Sequence, residues 1–145
     1  MSNPEISLHI DSDLDNVRLL ARAVRAACAD LLGPDELDGV ELSLVEAINN
    51  VIEHGYHGEK GRAVDVQLQV ENQSIILQIT DNAPPMKDGL LQSDASALFE
   101  FDPENLADLP EGGMGLALIQ MNMDEVHYSS KDGANRLVLI KHFGR

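Results

Sequence analysis

Three polar side chains recur at four-residue intervals in the segment Glu46-Ala-Ile-Asn-Asn50-Val-Ile-Glu-His54. Four residues along a helix turn by only about 40°, so Glu46, Asn50 and His54 line one edge and can reach one ligand. Asn50 is the most telling of the three, because an asparagine amide inside a helix competes with the backbone. Its carbonyl oxygen is a neutral hard ligand that suits Mg²⁺, an ion that keeps several waters and bridges nucleotide phosphates. Glu46, one turn earlier, stands beside such a metal and can take a proton from an attacking hydroxyl or water. Taken singly, Glu46 and His54 fit a solvated helix face better than a site; the spacing with Asn50 is what groups them.

Two further features carry chemistry. Asp81 ends a dense apolar run and is followed by Asn82-Ala83-Pro84-Pro85, which stops a strand. Its carboxylate should emerge at a sheet edge, where it can accept the exocyclic amine of adenine or, more simply, cap a turn. Gly112-Gly113-Met114-Gly115 precedes an apolar helical stretch. Backbone N–H groups at such a helix start, with the positive end of its dipole, can cradle phosphate. No Gly-x-x-x-x-Gly-Lys-Ser/Thr sequence occurs in the chain, so a Walker-type phosphate loop is disfavoured.

These residues need elements to hold them. Glu5 to Ile10 alternates as a strand, and Asp11-Ser12-Asp13 then caps a helix running to about Leu32. Leu14, Val17, Ala21, Val24, Cys28 and Leu31 form its buried stripe. Gly33-Pro34-Asp35 starts a second helix, which the pattern extends to about Tyr56. Its apolar side carries Leu37, Val40, Leu44, Ile48 and Val51. Its polar side carries Gly39, Ser43, Glu46, Asn50, Glu53, His54 and His57 within an arc of about 100°. Val64 to Val70 and Ile75 to Ile79 read as a hairpin around Asn72, and Glu125 to Ser130 and Asn135 to Phe143 as closing strands around Lys131-Asp132-Gly133. A short helix covers Met114 to Met123. The stretch from Asn82 to Gly113 is long, acidic and rich in proline and glycine, the profile of a functional lid or a disordered loop, with a helical turn near Ala95 to Glu100. The order implies one α+β domain over residues 1–145, a two-layer sandwich with helices on one face of a mostly antiparallel sheet.

The chain has 145 residues, 25 acidic against 10 basic, for a net charge of −15. That charge repels nucleic-acid phosphates and disfavours direct DNA or RNA binding, while suiting a basic partner face or simple solvation. No stretch approaches the ~18 apolar residues of a spanning helix, and no signal-peptide pattern opens the chain, so a cytoplasmic protein without a membrane anchor is expected. The single cysteine, Cys28, reads as a buried inert thiol.

In order and context the motifs resemble the GHKL ATPase superfamily. "Glu46-Ala-Ile-Asn-Asn50-Val-Ile-Glu-His54-Gly55-Tyr56", "Asp81-Asn-Ala-Pro-Pro85" and "Glu111-Gly-Gly-Met-Gly115-Leu-Ala-Leu-Ile", followed by "Met123-Asp124-Glu125-Val126", look like the bacterial anti-sigma-factor serine/threonine kinases of the RsbW type. The resemblance covers nearly the whole chain and implies a Bergerat fold, an α/β sandwich on a mostly antiparallel mixed sheet, with an ATP lid at about 82–113. It implies Glu46 as catalytic base, Asn50 as the Mg²⁺ ligand, and ATP contacts from Asn50, His54, Asp81, Ala83, Gly112, Gly113, Met114, Gly115 and Leu116. The implied reaction passes the ATP γ-phosphate to a serine or threonine of a STAS-domain anti-anti-sigma protein. The implied partners are that protein and a sigma factor, and the implied assembly is a homodimer. A binding module that holds its partner without phosphoryl transfer is the alternative. A histidine-kinase catalytic domain fits less well, since no dimerisation helix pair with a phosphoacceptor histidine is present and His9 and His142 lie in strands. The chain departs from the family at Ala83 and Pro85, where glycines are usual. Alanine would cost about 1 kcal/mol if the backbone there needed a positive φ.

Overall fold

The structure, a computed structural model, describes residues 4–85 and 113–144. Strand β1 (Glu5–Asp11) leads into helix α1 (Leu14–Cys28), whose first turn is capped by the Asp13 carboxylate accepting the Asp15 N–H at 2.9 Å. α1 stops at Cys28, short of the expected Leu32. The Leu31 N–H bonds the Cys28 carbonyl at 2.9 Å, a tightened last turn that redirects the chain into Gly33-Pro34 while Leu32 remains buried.

Helix α2 (Pro34–Asn50) starts as expected, with Pro34 in its first turn and Asp35 and Glu36 at its positive end. It does not run on as an α-helix to Tyr56. Val51–Gly55 form a π-helical turn, in which the Tyr56 N–H reaches the Val51 carbonyl at 2.8 Å. The wider turn keeps both Ile52 and Tyr56 in the core and sets Gly55 against the chain beyond Asp81; such turns recur at functional sites.

Five strands make one sheet in the order β1-β2-β3-β5-β4, with β2 (Ala63–Glu71), β3 (Ser74–Asp81), β4 (Glu125–Lys131) and β5 (Ala134–His142). All four pairings are antiparallel. The β2–β3 turn holds Asn72 and Gln73 at φ 50° and 61°, and the β4–β5 turn holds Asp132 and Gly133 at φ 55° and 78°. Two consecutive left-handed residues give the twist that a two-residue hairpin needs.

Period-two alternation turns Val64, Val66, Leu68, Ile75, Leu77, Ile79, Leu137 and Leu139 to the helical layer, where all are buried. Leu44 and Ile48 of α2 are fully buried above them, each worth about 1.5–3 kcal/mol relative to exposure. Cys28 is buried in the same core, which pushes its thiol pKa up, as an inert core cysteine requires. Among the described residues no helix is long and apolar enough to cross a membrane.

Helix α3 (Gly113–Asn122) packs against α2. A Cβ on Gly39 would lie 2.8 Å from the Asn122 side-chain oxygen, and the buried Ser43 hydroxyl donates to the Gly39 carbonyl at 2.8 Å. The side of α2 read as polar is therefore divided. Gly39 and Ser43 are covered, Glu46 and Asn50 are half-buried, and Glu53, His54 and His57 are exposed. The expected helical turn at 95–100 and the lid, apart from residues 82–85 and 113, lie outside the described residues.

Candidate functional site

α2 and α3 also meet closely where the sequence placed its chemistry. A Cβ on Gly115 would stand 3.1 Å from Glu46 Oε2, 3.2 Å from Asn50 Nδ2 and 3.5 Å from Asn50 Oδ1. The missing side chain leaves room for both polar groups beside the first turn of α3. Among the described residues, neither the Glu46 nor the Asn50 side chain has a hydrogen-bond or ion-pair partner. Half-buried polar groups without protein partners are available to a ligand. Their proximity to the start of a helix, where N–H groups point outward, suits an anion bound alongside a cation.

Among the described residues no group of three or more His, Cys, Asp or Glu side chains could hold a metal ion. Asn50 and Glu46 do offer oxygen donors, one neutral and one acidic. That pair fits a hard cation that takes the rest of its shell from water and phosphate, as Mg²⁺ does.

The second half of the site lies at the end of β3. Asp81 is 7% exposed, and its Oδ1 accepts the Ala83 N–H at 2.9 Å and the Asn135 Nδ2 at 2.8 Å. Burial pushes the Asp81 pKa up, and these two hydrogen bonds oppose the shift. Asn135, the second residue of β5, stands directly opposite Asp81. Its other amide hydrogen reaches the Ala83 carbonyl at 2.8 Å, and its Oδ1 accepts the Tyr128 hydroxyl at 3.1 Å. Tyr56, beyond the π-turn, donates its hydroxyl to the Ala63 carbonyl at 2.7 Å and accepts the Asn82 N–H at 2.9 Å. A Cβ on Gly55 would lie 2.8 Å from the Ala83 Cβ. The Asp81-Asn82-Ala83 turn is thus clamped between the helix end and β5.

The sequence-derived residues divide accordingly. Glu46, Asn50 and Gly115 come together, and Asp81 and Ala83 form the second cluster. Leu116 is buried in the core under α3. His54 is exposed and has no hydrogen bond or ion pair among the described residues, so the close contact at Gly115 does not include it. Gly113 opens α3, while Gly112 and the Met114 side chain lie outside the described part. Ala83 is not among the residues with positive φ, which removes the strain that alanine there would have carried. Asn135, Tyr128 and the Tyr56 hydroxyl were not picked out from sequence. The signal for Asn135 was a polar residue at a core-facing strand position, and it acquires meaning only through the register that sets it across from Asp81.

A two-layer sandwich with an Asn-bearing helix, a buried strand-end Asp and a glycine helix start defines a class of nucleotide-site fold, and the comparisons agree. The chain belongs to the histidine kinase-like ATPase domain family, which matches residues 10–141. It is similar to the anti-sigma F factor of Anoxybacillus flavithermus, with 31% identity over 134 residues, covering 90% of this chain and 88% of that protein. It is likewise similar to the anti-sigma F factor of Clostridium beijerinckii, with 27% identity over 143 residues, covering 97% and 95%. Among solved structures, the Acinetobacter baumannii histidine kinase AdeS shares the fold at a TM-score of 0.52 and 15% identity, over 95% of this chain and 68% of that one. The expected resemblance to anti-sigma kinases and the α+β sandwich are both borne out.

Proposed function

We infer that this protein is an ATP-dependent serine/threonine kinase that acts as an anti-sigma factor in a partner switch, phosphorylating a STAS-domain anti-anti-sigma protein. The observation that carries the reading is the approach of Gly115 to Glu46 and Asn50, at 3.1 and 3.2 Å from a Cβ that the chain lacks. A side chain there would fill the space between the base candidate, the metal ligand and the helix start. Similarity to anti-sigma F factors over 90% and 97% of the chain supports a sigma factor as one partner.

In this reading Asp81 accepts the adenine amine through its second oxygen, and the start of α3 binds phosphate. Asn50 holds Mg²⁺, which when bound neutralises phosphate charge. Glu46 accepts the proton of the attacking hydroxyl. His54, at the open end of the π-turn, and the 82–113 segment as a lid complete the nucleotide contacts. Gly112, Met114 and Leu116 belong to the same phosphate-side segment. The protein works in the cytoplasm as a homodimer.

Incubating the protein with Mg-ATP and a cognate STAS protein, with the STAS product read by intact mass, tests the kinase assignment. A gain of one phosphoryl group on a serine or threonine is expected. Tight complex formation with ATP and no mass gain would instead establish the binding-module alternative.

A further inference from the structure

A 6-amino purine and a 6-oxo purine present opposite polar patterns at positions 1 and 6, so a site tells them apart only by fixing the donor or acceptor it offers. Asp81 offers two oxygens. Oδ1 already accepts the Ala83 N–H at 2.9 Å and the Asn135 amide at 2.8 Å. Oδ2 has no hydrogen bond among the described residues, although the side chain is almost wholly buried. Ionised, that oxygen can only accept.

Asn135 is itself 4% exposed and can be read only one way round. Its Nδ2 faces two acceptors, Asp81 Oδ1 and the Ala83 carbonyl, and its Oδ1 faces the Tyr128 hydroxyl donor. A flipped amide would set oxygen against oxygen twice, so the surroundings fix its orientation. Both amide hydrogens and the carbonyl are engaged, and Asn135 ties β5 to the turn after Asp81 at two points.

We propose that Asn135 determines the base selectivity of this site, by occupying Asp81 Oδ1 and leaving Oδ2 as the single outward acceptor for a 6-amino group. The assignment rests on the nucleotide reading given above and adds to it a residue that positions Asp81 without touching the base. Loss of the Asn135 amide leaves Oδ1 held by the Ala83 N–H alone, so the carboxylate is less tightly fixed. It also removes one of the two hydrogen bonds that oppose burial in setting Asp81's protonation. A carboxyl that gains a proton can donate to a 6-oxo group, which erodes discrimination in the other direction.

The test is titration calorimetry of the full chain with Mg-ATP and with Mg-ITP, the 6-oxo analogue, using wild type, Asn135→Val and Asn135→Thr. Valine and threonine have similar shape and suit a strand, but only threonine carries a hydroxyl that can donate to the carboxylate across the strand pair. Wild type should prefer ATP by at least about 10-fold, since a site built on a hydrogen bond rejects the mismatched group strongly. Asn135→Val, with its fold verified by circular dichroism, should lose about 10-fold of that ratio, and Asn135→Thr should keep most of it. A folded valine variant with the wild-type ratio, or two variants that lose it alike, overturns the role of Asn135. A wild type that binds ATP without preference overturns it too. Wild-type protein that binds neither nucleotide overturns the nucleotide reading and this assignment together.

Discussion

At the scale of single residues, Glu46 and Asn50 separate chemistry from binding. Glu46→Gln keeps size and hydrogen-bonding reach but cannot take a proton, so phosphorylation of a STAS protein should fall by roughly 10²-fold or more with Mg-ATP affinity retained. Asn50→Ala removes the proposed metal ligand and should weaken both; initial rates and calorimetry on the two variants check the split. A solvated helix face would make both substitutions nearly silent, within about 0.5 kcal/mol of stability. Asp81 gives a pH-dependent companion. Its pKa is raised above the ordinary 3.8 by burial. A carboxyl raised on folding stabilises the protein while protonated, and that contribution is lost as pH rises through its folded pKa. At neutral pH the ionised Asp81 therefore works against folding. Asp81→Asn should melt higher than wild type in the absence of nucleotide and gain nothing from ATP. The difference in Tm should shrink as the pH is lowered toward about 4, where model carboxylates protonate.

At the scale of elements, the site exists because two glycines let α3 lie close along α2. Gly39 admits Asn122 and Gly115 admits Glu46 and Asn50. Alanine at the two positions should have different consequences. Gly39→Ala sets a Cβ 2.8 Å from the Asn122 oxygen in a buried contact, so it should destabilise the fold by about 1–3 kcal/mol, the usual cost of overpacking. Gly115→Ala places its methyl at 3.1 Å from Glu46, the tip of a flexible side chain. Chemical denaturation should find that variant within about 1 kcal/mol of wild type, helped by the better helix propensity of alanine, while nucleotide titration finds affinity reduced. The difference between these glycines also marks what could be read without coordinates. Strands, hairpin turns and helix starts were legible, because alternation, Asn-Gln and Asp-Gly turns and Pro34 act locally. The four-residue spacing of Glu46 and Asn50 and the glycines after Glu111 were legible for the same reason. The π-turn at Val51–Gly55 was not, because the sequence there keeps helical periodicity and only the packing of Tyr56 and Ala83 selects the wider turn. Asn135 was hidden because its partner, Asp81, lies 54 residues away in the chain and only strand register joins them.

At the scale of the whole molecule, the charge of −15 sets a condition on the proposed ligand. Free ATP carries several negative charges, and an acidic protein repels it across distances of about a Debye length, ~8 Å at physiological ionic strength. The half-buried Glu46 adds a carboxylate within the site, which sharpens the repulsion where screening is weakest. A divalent cation at Asn50, as proposed above, would offset both, so the nucleotide and the metal should bind as a coupled pair. Ligand that binds only the native state stabilises it by RT ln(1 + [L]/Kd), about 2.7 kcal/mol at a hundredfold excess over Kd. Millimolar Mg-ATP should accordingly raise the Tm by several degrees. The same ATP with EDTA in place of Mg²⁺ should give a small fraction of that shift at low salt and a somewhat larger one at 0.3 M NaCl, as screening weakens the repulsion. Differential scanning fluorimetry over these three conditions decides the matter. Equal shifts with and without Mg²⁺ would remove the metal from the site, and no shift under any condition in folded protein would remove the nucleotide.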